Sequence, residues 1–220
     1  METMRVSWLG HSCFYLEGSQ GLSILTDPFA EDVGYGPPDV QADIVLISHD
    51  HSDHNNIQAV KGSPVAIKGP GKHVVQGMEF RGIETYHDEE GGRLRGANTI
   101  FCFKLDGLAV CHLGDLGHIL REGEVRSIGP VDLLFLPVGG LYTIDGKKAW
   151  QVIEQLHPRI AVPMHYHTDL LRFRLGRVEE FVRGHEHEGP IESLGVSRED
   201  LKAEGLRVVL LNYVKAAREG

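Results

Sequence analysis

A chain of 220 residues with 41% hydrophobic and 24% charged side chains can bury a substantial core and is too apolar for disorder. Its formal net charge of −9, from 22 basic and 31 acidic residues, disfavours a role resting on attraction to a nucleic-acid backbone. No apolar run approaches the roughly 20 residues that a membrane-spanning helix needs, and a polar Gly-His-Ser at 10–12 leaves no room for a leader core. The expectation is a soluble cytoplasmic protein with a small-molecule substrate, no nucleic-acid or membrane partner, and a homo-oligomer left open.

Short strands are expected at 5–9, 13–17 and 22–26, punctuated by Gly18, Gly21 and Pro28. An acidic, Gly- and Pro-rich loop covers 30–42. Residues 43–48 (Asp-Ile-Val-Leu-Ile-Ser) form the nearly continuous apolar run of a strand covered on both faces. Further strands are expected at 65–68, 82–86, 99–105, 108–112, 133–137, 160–163 and 207–213. A helix is expected over 145–157, where Ala149, Val152, Ile153 and Leu156 recur at helical spacing and Pro158 stops the run. A second helix is expected over 170–183. Two sheets, built from successive halves and clad by helices, are the simplest layered arrangement. The three cysteines, Cys13, Cys102 and Cys111, each sit in an apolar run and read as buried free thiols.

Thirteen histidines direct attention to metal chemistry. The central signal is His49-Asp50-His51-Ser52-Asp53-His54, at the point where an apolar strand breaks into a loop. Imidazoles and carboxylates are the nitrogen and oxygen donors of divalent transition metals, and a rigid strand end can aim several of them at one point. Strand alternation turns His49 and His51 the same way, with Asp53 and His54 reaching a neighbouring point, which suggests two ions side by side. More donors stand just past other expected strands: His87, Asp115 in His-Leu-Gly-Asp, and His165 in Pro-Met-His-Tyr. Each alone reads as a solvated or turn residue; with the cluster at 49–54 they read as a set.

These residues, with Trp-Leu-Gly-His-Ser-Cys at 8–13, Thr-Asp-Pro-Phe at 26–29 and Pro-Val-Gly-Gly at 137–140, resemble the metallo-β-lactamase superfamily of metal-dependent hydrolases. The likeness is nearest to the branch that includes the ascorbate-phosphate lactonase-like proteins. It implies an α/β fold, a four-layer αββα sandwich, here as one domain over 1–220 built of two similar halves. It also implies one ion held by His49, His51 and His87, a second by Asp53, His54 and His165, and Asp115 between them. Zinc leads as the metal, with manganese or iron as alternatives. The implied reaction is attack by a metal-bridging hydroxide on an ester, lactone or phosphoester. Asp115 is followed by Leu116, and His87 by Asp88, where many relatives carry Ser or Thr; these departures bear on substrate choice.

Around the ligands, His11 reads as a residue of the site mouth or a turn, and Asp27 as a partner that orients a ligand from behind. Arg95 and Asn98 are candidate contacts for an anionic substrate. Tyr142 or His167 is the candidate acid for the leaving group. His118 reads as a neighbour of the ligands or as polar surface, and Thr143 or Asp145 as a helix cap. The string His185-Glu186-His187-Glu188 reads as solvated surface. An iron-dependent oxidoreductase on the same fold and a non-catalytic metal-dependent binding protein are the competing functions. A nuclease is disfavoured, because the chain has neither a basic patch nor an inserted arm.

Overall fold

The computed structural model describes residues 2–215. Two sheets face each other. The first holds β1 (Met4–Trp8), β2 (Phe14–Glu17), β3 (Ser23–Thr26), β4 (Ile44–Ile47) and β5 (Val65–Lys68) in sequence order, with β13 (Leu194–Val196) added beside β1. The second runs β12 (Glu188–Ile191), β14 (Arg207–Leu211), β11 (Ile160–Met164), β10 (Leu133–Pro137), β9 (Leu108–His112), β8 (Ala97–Leu105), β7 (Met78–Tyr86) and β6 (Gly71–Val75). The division between sheets therefore falls near residue 70 rather than at mid-chain, and β13 returns from the far end of the sequence to the first sheet. That corrects the expectation of sheets built from successive halves.

Side-chain alternation explains the layering. In β4, Ile44 and Leu46 enter the large core between the sheets, while Val45 and Ile47 join a separate cluster on the outer face with Leu25, Phe29 and Tyr35. The two sheets meet at contacts such as Phe14 on Phe135, with ring centroids 4.3 Å apart. Helices α1 (Glu122–Ile128), α2 (Gly146–Leu156) and α3 (Val178–Val182) belong to the second sheet's side, through contacts of α1 with β7 and of α2 with β10 and α3. The α/β sandwich is thus borne out. Its layer over the first sheet is made, among the described residues, of loops and 3-10 turns at Glu31–Val33 and Ile57–Ala59 rather than of an α-helix.

Helix α2 has the expected bounds. Asp145 caps it by accepting from the Lys148 amide at 2.9 Å, His157 closes it in the left-handed conformation, and Ala149, Val152, Ile153 and Leu156 are its buried face. The helix expected over 170–183 shrinks to α3. Its first half spends backbone bonds elsewhere: Arg172 N donates to Val33, and Gly176 N to Gly139. Leu171 and Leu175 are buried in the outer cluster of the first sheet. Strand β6 was readable and missed: it joins β7 through a two-residue turn, Gln76-Gly77, with positive φ at both residues, the conformation that two-residue hairpins favour.

Because β3 and β4 are parallel, and β9, β10 and β11 are parallel, the C-terminal ends of these strands gather at one edge of the sandwich. Asp115 and His165 follow β9 and β11, and His87 follows β7, which runs the same way as β9 because each is antiparallel to β8.

Candidate metal centre

Three groupings of donor atoms lie close enough to share an ion: His49, His51 and His87; His11, Asp53, His54 and His165; and His49, His54 and Asp115. The centre of the arrangement is one oxygen. Asp115 Oδ2 lies 3.1 Å from His87 Nε2, 3.2 Å from His54 Nε2, 3.2 Å from His165 Nε2 and 3.9 Å from His49 Nε2. Both loop-borne and distant donors therefore converge on a single buried carboxylate. His51 is exposed at the rim, with its ring 4.6 Å from that of His49 and 5.2 Å from that of His87.

The ligand rings are oriented by their other nitrogens. His54 Nδ1 faces Asp27 Oδ2 at 3.1 Å, and Asp27 also accepts from the amide and hydroxyl of Ser48, each at 2.7 Å. Asp27 faces His54 from behind and ties the end of β3 to the loop after β4. His87 Nδ1 donates to the Tyr142 carbonyl at 2.9 Å, and His49 Nδ1 meets the Ser48 hydroxyl at 2.8 Å. Such partners fix tautomer and ring direction, leaving the Nε2 atoms for the centre.

Backbone geometry contributes as well. His11, Asp27 and His165 all have positive φ, at 52°, 39° and 51°. Left-handed backbone costs these residue types on the order of 1 kcal/mol each, a strain found where surrounding structure fixes a functional geometry. The surroundings here are specific: His11 O accepts from both the Trp8 indole at 3.0 Å and the His165 amide at 3.1 Å. Gly114, one residue before the shared carboxylate, packs so tightly against Asn98 and Ser48 that a Cβ would collide with both.

The donor set fits divalent cations. Among the described residues, five buried side-chain polar atoms have no hydrogen-bond partner, and four of them are imidazole nitrogens of this cluster: His11 Nδ1, His49 Nε2, His54 Nε2 and His165 Nδ1. Native interiors rarely leave such atoms unpaired. Electrostatics agree. Burial, reinforced by the neighbouring His54, pushes His49 down to about 3; burial and the nearby His165 push His11 down to about 4. Both rings are neutral donors at physiological pH. For Asp115, burial disfavours the charge, but His165 and His54 outweigh it and hold the carboxyl well below its usual range. For His54, burial is likewise overcome, by Asp115 first, and the ring is held well above its ordinary value.

The centre opens into a cleft of about 530 Å³ lined by His51, Asp53, His87, Asp115 and His165 on the floor and by Val33, Leu94, Arg95, Tyr142 and Phe173 on the walls. Arg95 lies over the Tyr142 ring, 5.5 Å from its centroid, and donates to the Leu141 carbonyl. Asp88 builds this wall: its carboxylate accepts from the amides of Glu90, Gly92, Leu94 and Arg95, at 2.7–3.0 Å, and so shapes the loop that follows His87.

Not every residue singled out from the sequence comes together here. Asn98 is 1% exposed and contacts no cleft: its Oδ1 accepts from the Asp115 amide at 2.9 Å, and its Nδ2 donates to Thr85 and Leu113. It positions the carboxylate instead of touching substrate. His118 accepts from the Tyr86 amide at 3.3 Å and donates to Ile119, bracing the end of β7 from behind. His167 is not among the cleft-lining residues; its amide donates to Gly176 at 2.9 Å. Conversely, His11 enters the donor set, with Nε2 3.1 Å from Asp53 Oδ2, although its place after β1 obeys the same rule that marked the other donors. Ser12, whose hydroxyl lies 3.5 Å from Asp115 Oδ1, was not singled out from the sequence.

Known proteins share this architecture. The profile of the beta-lactamase superfamily domain matches residues 5–165. A UPF0173 metal-dependent hydrolase from Thermoplasma acidophilum is 30% identical over 199 residues, spanning 78% of this chain and 88% of its own. One from Pyrococcus abyssi is 32% identical over 201 residues, spanning 75% and 85%. Among solved structures, a candidate zinc-dependent hydrolase of the metallo-β-lactamase superfamily from Thermotoga maritima is similar with a TM-score of 0.79 and 38% identity, covering 95% of this chain and all of that one. A diiron β-hydroxylase from Streptomyces venezuelae, at 14% identity and a TM-score of 0.60, covers 89% of this chain and 54% of its own, and shares the fold alone. None of these four names carries a lactone or ascorbate substrate, and the resemblance to the lactonase branch stays an expectation. With a match across most of its length and near-complete coverage of the archaeal relatives, the chain belongs to the metallo-β-lactamase superfamily and, within it, to the metal-dependent hydrolases of the UPF0173 group.

Proposed function

We propose that the chain hydrolyses an ester, lactone or phosphoester bond of a small anionic or carbonyl-bearing molecule, using two divalent ions with zinc foremost. The observation that carries the reading is the convergence of buried imidazoles on one shared carboxylate, in a cluster that leaves four imidazole nitrogens without a hydrogen-bond partner. His49, His51 and His87 would hold one ion, Asp53, His54 and His165 the other, with Asp115 between them. Divalent cations at such a site supply Lewis acidity and a water whose pKa is lowered to about 7.

The chain's own groups then divide the remaining work. Asp115, kept ionised by its imidazole neighbours, orients the hydrogen of the attacking water. Arg95, the cationic side chain among the cleft-lining residues, anchors the negative end of the substrate, and Val33, Leu94 and Phe173 receive its apolar part. Tyr142 stands on the wall of the cleft and is the group we assign to protonate the leaving group; His167, outside the lining, is the weaker candidate. We take residues 1–220 as one catalytic domain, a reading supported by the apolar cluster shared between the sheets. No helix among the described residues is long and apolar enough to cross a membrane, and three free thiols suit the reducing cytoplasm in which we place the protein.

The test is elemental analysis of protein purified with and without oxygen, followed by assays on lactones, phosphodiesters, carboxylic esters and thioesters with the native metal restored. Two equivalents of zinc or manganese and turnover in one of these classes is the expected result. Bound iron with oxygen consumption overturns the hydrolytic reading in favour of an oxidoreductase, and tight ligand binding without turnover points to a binding protein. Within the active class, Arg95→Ala is expected to raise KM roughly tenfold, the value of one charge-assisted hydrogen bond, with little change in kcat.

A further inference from the structure

Away from the metal centre, β7, β8 and β9 set three reactive or charged side chains in a row. Arg81 is paired with Cys102 across β7 and β8, and Cys102 with Cys111 across β8 and β9. Laterally paired residues project from the same face of a sheet, here the face on which α1 lies. Arg81 donates to the carbonyls of Ser127 and Ile128 at the end of that helix, at 2.6 and 2.9 Å.

The two thiols are free, and their sulfurs are 3.7 Å apart, in S–H···S contact. Directly paired residues of antiparallel strands hold their Cα atoms about 4.5–5.5 Å apart, inside the span that a disulfide bridges. The two differ in access. Cys102 is 4% exposed and lines a cleft of about 730 Å³ with Arg81, Lys104, Ala109, Pro130 and Asp132. Cys111 is fully buried behind it. Contact with Cys111, and then the charge of Arg81, lowers the Cys102 thiol below its ordinary value despite burial, whereas burial raises that of Cys111. One thiol therefore meets the cleft while the other is buried beside it, the division of labour between an attacking and a resolving thiol. Cys13, by contrast, lies buried in the separate cluster outside the first sheet, and burial pushes its thiol well up.

We propose that Cys102 and Cys111 form a redox-active dithiol that exchanges with small disulfides, Cys102 attacking and Cys111 resolving. The Cys102 thiolate attacks one sulfur of the disulfide RSSR, breaking its S–S bond; one RS⁻ leaves and takes up a proton. The Cys111 thiol gives up its proton and attacks Cys102 Sγ. The Cys102–Cys111 bond forms, and the second RS⁻ leaves as RSH. Two protein thiols are oxidised, and one small disulfide is reduced to two thiols. Asn98 in β8 accepts from the amide of Asp115, just past the end of β9, so the dithiol joins the same two chain segments that hold the shared carboxylate.

The experiment treats the full-length metal-loaded protein with hydroxyethyl disulfide, quenches it in acid, and reads intact mass, free thiols after unfolding, and a peptide map. The wild type is expected to lose the mass of two hydrogens, keep one titratable thiol, and yield a peptide joined through Cys102 and Cys111. Cys111→Ala is expected to stop at a single hydroxyethylthio adduct on Cys102, and Cys102→Ala to remain unmodified. Three free thiols in the treated wild type overturn the proposal, as does an adduct on Cys111 in Cys102→Ala with Cys102 untouched in Cys111→Ala. If either variant fails to fold, the wild-type mass and peptide map decide the matter alone.

Discussion

Two segments of this chain are nearly alike on paper, His49-Asp50-His51-Ser52-Asp53-His54 and His185-Glu186-His187-Glu188, and their fates are opposite. The first leaves β4 at the edge where other strand ends bring Asp115, His87 and His165, and its His49 and His54 are buried. The second is exposed throughout. His185 stacks on Trp150 with centroids 3.6 Å apart, His187 Nδ1 meets the His185 carbonyl at 3.3 Å, and Glu188 opens β12 in a two-point bond with Arg207. Composition supplies donors in both places. What separates them is whether distant strands deliver further donors to the same point and whether burial removes the alternative of water.

The sharpest way to break this comparison is to remove the point of convergence. Asp115→Ala leaves the histidine-rich loop intact and deletes the oxygen on which four imidazoles converge. If convergence makes the centre, bound metal falls by more than the roughly 10–100-fold that loss of an orienting partner costs, and hydrolysis falls with it. Metal content by elemental analysis and turnover in the active substrate class check this. A variant that keeps two ions per chain would show that the shared carboxylate is not what makes the centre.

A smaller effect is expected one step further out. Asp27→Ala removes the carboxylate that orients His54 and holds the Ser48 amide and hydroxyl, without removing any donor. Affinity for zinc is expected to fall by roughly 10–100-fold, measured by competition with a chelator, while saturating zinc restores most of the turnover. Loss that zinc cannot restore would mean that Asp27 does more than orient.

The same contrast shows how far the sequence could be read. Donors His49 to His54, His87, Asp115 and His165 were visible because each follows an apolar run that makes a strand, and α2 was visible because its apolar residues recur at helical spacing between Asp145 and Pro158. His11 obeys the same strand-end rule, but a lone Gly-His-Ser also suits a turn, and only the fold brings it to Asp53. Asn98 lies at the start of β8, antiparallel to β9, so its hold on the Asp115 amide is a matter of register with no local signature. The same is true of β13, three residues whose pairing with β1 spans most of the chain. Asp88 was read as a departure from the usual residue after His87; its four amide bonds to the following loop are a tertiary outcome of that loop's turns.

At the surface string the comparison calls for near silence. Replacing both His185 and His187 with Ala is expected to leave metal stoichiometry unchanged and to move unfolding free energy by about 0.5 kcal/mol or less, chiefly through the lost stack on Trp150. Elemental analysis beside a denaturation curve reads both quantities. A drop in bound metal would place the string in a second site and erase the distinction drawn between the two segments.

The smallest effect is the pH dependence of the ion pair that the last residue of that string makes with Arg207. Bonds from Arg207 hold the Glu188 carboxyl below its ordinary value, so the folded chain binds fewer protons there than the unfolded chain does. The stabilisation is therefore complete above the ordinary carboxylate range and fades as pH falls through the lowered folded value. Because the Glu188 side chain is 49% exposed and that of Arg207 28%, water and salt screen the pair, and its worth is expected to stay below about 0.5 kcal/mol. Thermal unfolding of wild type and Glu188→Gln should differ slightly at about pH 7 and converge in acid, below the lowered folded value. A difference that persists in acid would assign the contribution of Glu188 to the packing of β12 against β14 and not to its charge. It would then share with the metal centre a dependence on strand placement that the exposed string is otherwise expected to lack.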